Sequence, residues 1–180
     1  MQRIQSVNPQ TAQGRARELL DAVKANLGLV PNMTRAMAVS PSVLDAFLGF
    51  SGALSQGVLP AQVREQLALD VAEANHCDYC VSAHCALGKR AGLTDQDILN
   101  SRRGESTDPK TDVLLGFALK LVANRGLVND VDIAAVRDVG YGDAEIAEVV
   151  AHVGLNVFTN YFNHVAGTVI DFPKAQALSA

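Results

Sequence analysis

Apolar residues in this chain recur three and four positions apart, in stretches opened by proline or a capping residue and closed by glycine. Nowhere do they alternate with period two between hairpin turns. That pattern restricts the fold to packed helices. Leu19, Leu20, Val23 and Leu27 form one stripe over about Thr11 to Leu27, stopped at Gly28. Pro31 breaks the chain before a short helix from about Asn32 to Val39. Ser40-Pro41 supplies an N-cap and an N1 proline for the next helix, which carries Leu44, Phe47, Leu48 and Leu54 and ends at Gly57. Pro60 opens a helix whose Val63, Leu67 and Val71 face the core, with Glu65 off that stripe. Asn75-His76 is a helix exit, because Asn tolerates the left-handed conformation. The following helix runs from about Asp78 to Arg90 and stops at Gly92.

Thr94 to Asp97 resembles a capping box with Asp in place of Glu. Ser101 to Asp108 is a polar turn, and Pro109 begins a helix that buries Val113, Leu114, Phe117, Leu121 and Val122 before Gly126. Asn129 and Asp143 cap the last two helices. The final one, about Ala144 to Val165, is apolar nearly all round and is expected to be buried. Its polar exceptions, His152, Asn156, Asn160 and His164, recur every fourth residue, as in a hydrogen-bonded seam rather than a metal site. The expected fold is all-α, one domain over residues 1–180, with seven or eight helices and an irregular arm from Met1 to Val7.

Composition excludes several functions. At 48% apolar and 19% charged residues the chain is globular, and its net charge of −4 gives a polyanion nothing to bind, so a nucleic-acid role is not expected. The charge-free run Val149 to Ile170 is long enough to span a bilayer but carries two His and three Asn, which argues against a membrane role. The start, Met1-Gln-Arg-Ile-Gln, lacks a signal-peptide pattern, so a reducing, cytoplasmic setting is expected. There a CxxC is more often redox-active or metal-binding than a structural bridge.

The chemistry concentrates in Glu73-Ala-Asn-His-Cys77-Asp-Tyr-Cys80-Val-Ser-Ala-His84. On a helix beginning near Cys77, residues three and four apart share one arc, so a base lies within reach of a thiol and that thiol within reach of another. Free N–H groups in the first helical turn favour a thiolate. His84 sits where it can take the Cys80 proton, and a carboxylate would orient it. Cys80, nearest the base, would attack a peroxide or disulfide and Cys77 would resolve the product, although the helix N-terminus favours Cys77 as well. Zinc binding by Cys77, Cys80 and His84 would lack a fourth ligand with finger spacing. Inert buried cysteines are the remaining reading. Cys85 lies round the helix from Cys80 and is read as core, His76 as an exposed helix end.

The pattern Glu65-x11-Cys77-x2-Cys80-x3-His84 resembles the signature of the AhpD-like alkylhydroperoxidases of the carboxymuconolactone decarboxylase superfamily, with a motif core over about residues 59–99. Asn156-Val-Phe-Thr-Asn160-Tyr-Phe-Asn163-His164, followed by Asp171-Phe-Pro173, resembles the tail of the peroxidase-related branch. The resemblance implies an all-helical bundle assembling as trimers or hexamers, and thiol-dependent peroxide or disulfide reduction. It implies no bound cofactor, only an external dithiol such as a lipoyl or thioredoxin-like donor. By position, Cys80 would be the nucleophile, Cys77 its resolving partner and proton donor, His84 the proton relay and Glu65 the carboxylate behind it. Glu65 thereby takes the role for which Glu73 is nearer in sequence, and Glu73 is left as an exposed helix residue. Some members carry His before the second Cys, where this chain has Tyr79. Decarboxylase members lack the paired thiols, and having both here argues against lactone decarboxylation, which stands with a non-catalytic redox-sensing oligomer as the alternative reading.

Overall fold

The computed structural model describes residues 2–178, so Met1 of the expected arm lies outside it. Among the described residues there are nine helices and no strand: α1 Gly14–Leu27, α2 Asn32–Met37, α3 Pro41–Ser55, α4 Ala61–Ala74, α5 Asp78–Arg90, α6 Asp95–Arg102, α7 Pro109–Ala123, α8 Asp130–Asp138 and α9 Asp143–Ala166. The all-α expectation holds, with more helices than the seven or eight expected. α4 is the hub, packing against α5, α6, α7 and α9. Its Leu67 and Val71 are fully buried with Leu114, Leu115 and Val149. Burial of each such side chain stabilises the fold by about 1.5–3 kcal/mol. The amino-terminal arm is irregular but tied down, with the Arg3 amide donating to Ala166 O at 2.7 Å and the Val7 amide to Arg35 O at 2.9 Å.

Helix ends follow the punctuation in most places. Gly28, at φ 81°, closes α1 with its amide on Lys24 O. The Thr94–Asp97 box is complete in both directions, and Asn129 caps α8. Three details differ. Ser101 is buried inside α6, so the polar loop begins later than its composition suggests. The cap of α9 is Gly142, whose amide donates to Glu145, and Asp143 is the first helical residue. The left-handed residue after α4 is His76, at φ 54°, while Asn75 keeps φ −91°.

α9 departs further from expectation. One face is buried, including Val149, Val153, Asn156 and Asn160, but Val150, Phe158, Tyr161 and Val165 are exposed. A helix apolar on all sides is therefore half covered in the single chain. The polar stripe is only partly a seam. Asn160 accepts from Asn75 Nδ2 at 2.9 Å, and His164 Nε2 donates to Asn75 O at 2.8 Å. Asn156 instead donates back to His152 O on its own helix. Among the described residues no helix is long and apolar enough to cross a membrane.

α4 also carries a buried carboxyl, Asp70, 2% exposed, whose Oδ2 has no partner. It borders a cavity of about 170 Å³ with Glu73, Arg102 and Gly104. Burial pushes its pKa from the ordinary 3.8 up to about 8. The native chain then holds a proton that the unfolded chain releases. This contribution is fully present below the unfolded-state value and is lost as pH rises through the folded one, by about 1.4 kcal/mol per unit. Melting temperature is expected to fall between about pH 4 and pH 8. The slope should flatten in Asp70→Asn, and thermal melts across that range, run on both proteins, check it.

Candidate active site

The site is assembled at the amino end of α5. Cys77 is its N-cap, and the Cys77 sulfur accepts the Cys80 amide at 3.4 Å. This puts Cys80 in the first turn, where it is 3% exposed, with Cys77 2% exposed. The Cys77 thiol donates to the Cys80 sulfur, 2.6 Å away. That donation lowers the Cys80 pKa and raises the Cys77 pKa. Burial opposes the lowering at Cys80 and adds to the raising at Cys77. Two thiols of one sequence type are thus pushed apart, one toward thiolate and the other toward proton donor.

α9 supplies the rest of the anion's environment. Asn163 Nδ2 lies 3.2 Å from Cys80 Sγ and donates to it. Asn160 and Thr159 face the same sulfur and add smaller lowering contributions. On the other side, Glu65 of α4 and His84 of α5 meet, with Nδ1 to Oε2 at 2.8 Å and both side chains 22% exposed. A carboxylate accepting from Nδ1–H leaves Nε2 as the nitrogen free to take a proton. His84 acts on the thiol pair through space, favouring the charged form of Cys77. Among the described residues no direct hydrogen bond joins it to either sulfur.

Cys77, Cys80 and His84, singled out by spacing, and Glu65, implied by the resemblance, therefore lie in one neighbourhood. Residues 41–123 match the model of the carboxymuconolactone decarboxylase family. That segment is a little under half of the chain, and over it the chain is similar to this family. An uncharacterized peroxidase-related protein from Ralstonia eutropha JMP134, with an alkylhydroperoxidase AhpD core, is similar over 94% of this chain and 92% of its own, at 26% identity and TM-score 0.84. A peroxidase-related protein from Silicibacter sp. TM1040 is 23% identical over 92% of this chain and 91% of its own, at TM-score 0.79. The debrominase Bmp8, solved with 2,3,4-tribromopyrrole, shares the fold at 17% identity, covering 93% of this chain and 91% of its own at TM-score 0.80. No curated protein matches the chain.

The family segment contains Glu65, Cys77, Cys80 and His84, but ends before α9. The donor Asn163, its neighbours Thr159 and Asn160, and the tail after α9 lie beyond it. Tyr79 does not take the place of a relay His. Its hydroxyl donates to Asp171 Oδ1 at 2.9 Å and accepts the Met33 amide at 3.2 Å. Asp171 Oδ2 also accepts the Asn32 amide at 2.7 Å, Phe172 packs edge-on against Tyr79, and the Ala175 amide donates to Ser82 Oγ. The tail is a strap over the thiol-bearing turn.

Two carboxylate and thiol readings also resolve. Glu73 pairs with Arg102 at 2.8 Å and is partly buried rather than an exposed helix residue. Cys85 is half-buried, and burial raises its pKa. Among the described residues no three of His, Cys, Asp and Glu are grouped to hold a metal ion. Spacing missed Asn163, which is 83 residues from Cys80, and the only signal for it was its place in the Asn-rich end of α9.

Proposed function

We propose that the protein is a thiol-dependent peroxidase and disulfide reductase. The observation that carries this reading is the polarised thiol pair, in which Cys77 donates to a Cys80 sulfur that also receives Asn163. Cys80 thiolate attacks the substrate, and Cys77 supplies a proton and then resolves the product into a disulfide. His84 takes the Cys80 proton, through a bridging water, and Glu65 holds His84 in the required tautomer. An external dithiol, lipoyl or thioredoxin-like, regenerates the pair, and no bound cofactor is needed.

A cytoplasmic setting and self-assembly as a trimer or hexamer belong to the same proposal. The uncovered apolar side chains Val150, Phe158, Tyr161 and Val165 of α9 favour assembly. A decarboxylase role would leave the thiol pair without a task, and a purely sensing role would leave it without turnover. The debrominase among the structural neighbours offers a second electrophile, a brominated pyrrole, that the same two-electron dithiol could reduce.

The reduced protein, given one equivalent of an organic hydroperoxide, is expected to lose two hydrogens in the peptide spanning Cys77 and Cys80. It should then consume further peroxide only when a dithiol is present. Intact-mass measurement beside steady-state peroxide assays, with a panel of dithiols and a brominated pyrrole arm, reads both. Thiols left reduced by every hydroperoxide would sink the proposal.

A further inference from the structure

Both thiols are almost wholly covered, and part of the cover is the tail after α9. Ile170, Phe172 and Ala175 pack against the cluster that holds Cys77, Tyr79 and Cys80. A cavity of about 260 Å³ is lined by Cys77 and Tyr79 from the thiol-bearing turn and by Gly167, Thr168 and Ile170 from the tail. Cys80 is not part of its wall. The tail is weakly held. Residues 168–178 form no helix or strand, and none of them is buried. From Val169 onward they make no backbone-to-backbone hydrogen bond among the described residues. A segment with so few contacts opens at a small part of the free energy of global unfolding.

The fastening converges on Asp171. Its Oδ1 accepts from the Tyr79 hydroxyl at 2.9 Å, and its Oδ2 accepts the Asn32 amide at 2.7 Å. Pro31, at the start of α2, has no side chain that can accept, so Asp171 satisfies from the tail an amide that α2 leaves open. Tyr79 stands between the two cysteines, and the same carboxylate therefore ties the tail to the turn that carries them. The remaining ties are Asn32 Nδ2 to Val169 O at 3.0 Å and the Ala175 amide to Ser82 Oγ at 3.1 Å. We infer that the tail is a lid latched by Asp171, and that residues 168–175 must lift before a reagent reaches Cys80. The frequency of opening, and not thiol acidity alone, then sets how fast the pair reacts. This goes beyond the peroxidase reading, because it holds whichever electrophile the pair reduces. Asp171 touches neither sulfur and acts by position.

Alkylation of the reduced protein by iodoacetamide, located by fragment masses, tests the lid. Labelling of Cys77 and Cys80 is expected to speed up by about five- to thirtyfold in Asp171→Ala, the ordinary effect of losing a side-chain cap. Tyr79→Phe should gain less, since it keeps the bond from Asp171 to Asn32. The ultraviolet titration of the thiolate should stay in place in Asp171→Ala, which separates access from acidity. Cys85, whose charged neighbours Arg102, Glu73, Lys89 and Asp95 lie on α4 to α6, should label at the wild-type rate. Val136→Ala, in the core around Leu67 and Leu114, is expected to lower the melting temperature and leave the labelling of Cys77 and Cys80 unchanged. A wild-type labelling rate in Asp171→Ala would overturn the lid, as would a gain that Cys85 shares or Val136→Ala reproduces. None of those results bears on peroxide reduction. Thiols that alkylate as expected but ignore hydroperoxides would bring down the peroxidase reading and leave the lid standing.

Discussion

Replacing Cys80 by Ser is expected to abolish dithiol-dependent peroxide turnover, by on the order of a thousandfold or more, as when a covalent nucleophile is removed. The reason lies in the environment of the sulfur. The amide of Asn163 and the thiol of Cys77 both donate to it, and together with the first turn of α5 they make it the site where negative charge is held. A serine hydroxyl keeps the shape but stays protonated, so the same donors have no anion to stabilise. The fold should survive, because the N-cap contact of α5 is made by the Cys77 sulfur and the Cys80 amide. Cys77→Ser is expected to behave differently. It should consume about one equivalent of peroxide and stop, with Cys80 as a sulfenic acid one oxygen heavier by mass. Steady-state assays beside intact-mass measurement distinguish the two. Turnover persisting in Cys80→Ser, or unimpaired in Cys77→Ser, would reverse the roles given to the pair.

Those roles were half legible in the chain itself. Cys77, Cys80 and His84 follow one another on a single helix, and spacing alone puts side chains three and four apart on one face. The bounds of α5 and the box at Thr94–Asp97 came from local signals of the same kind. Glu65 needed the resemblance, because nothing local says which way a residue off the core stripe of α4 points. Asn163 and Asp171 meet the site only after the chain has turned through several helices, 83 and 92 residues away from Cys80 and Tyr79. Periodicity carries no information at that range. The same limit explains α9, where an all-round apolar sequence predicted burial but one chain covers only one face. At the end of α4, Asn was the expected left-handed residue by propensity, yet the turn into Cys77 places His76 there. Tertiary geometry overrode the local preference at a position that borders the cavity beside Cys77.

Glu65 and His84 give the second large expected effect, and it tests whether the two act as a unit. His84→Gln is expected to lower kcat/KM for hydroperoxide by about a hundredfold or more, within the usual range for losing a positioned acid–base group. Glu65→Gln keeps the volume and an oxygen that can accept from Nδ1–H, but removes the charge that steadies a protonated imidazole. Its loss should be smaller, about tenfold, since Glu65 acts through His84 as a positioning residue. The double variant is then expected to fall no further than His84→Gln alone, because residues in one hydrogen-bonded chain are not additive. Both side chains are 22% exposed, and the pair borders solvent. Removing it should therefore leave melting temperature nearly unchanged, which separates a chemical loss from unfolding. The readout is the pH profile of kcat/KM across the four proteins. Full additivity in the double variant would mean that Glu65 and His84 serve different steps. A wild-type rate in His84→Gln would mean that the Cys80 proton leaves by another route, with Cys77 the nearest group able to carry it.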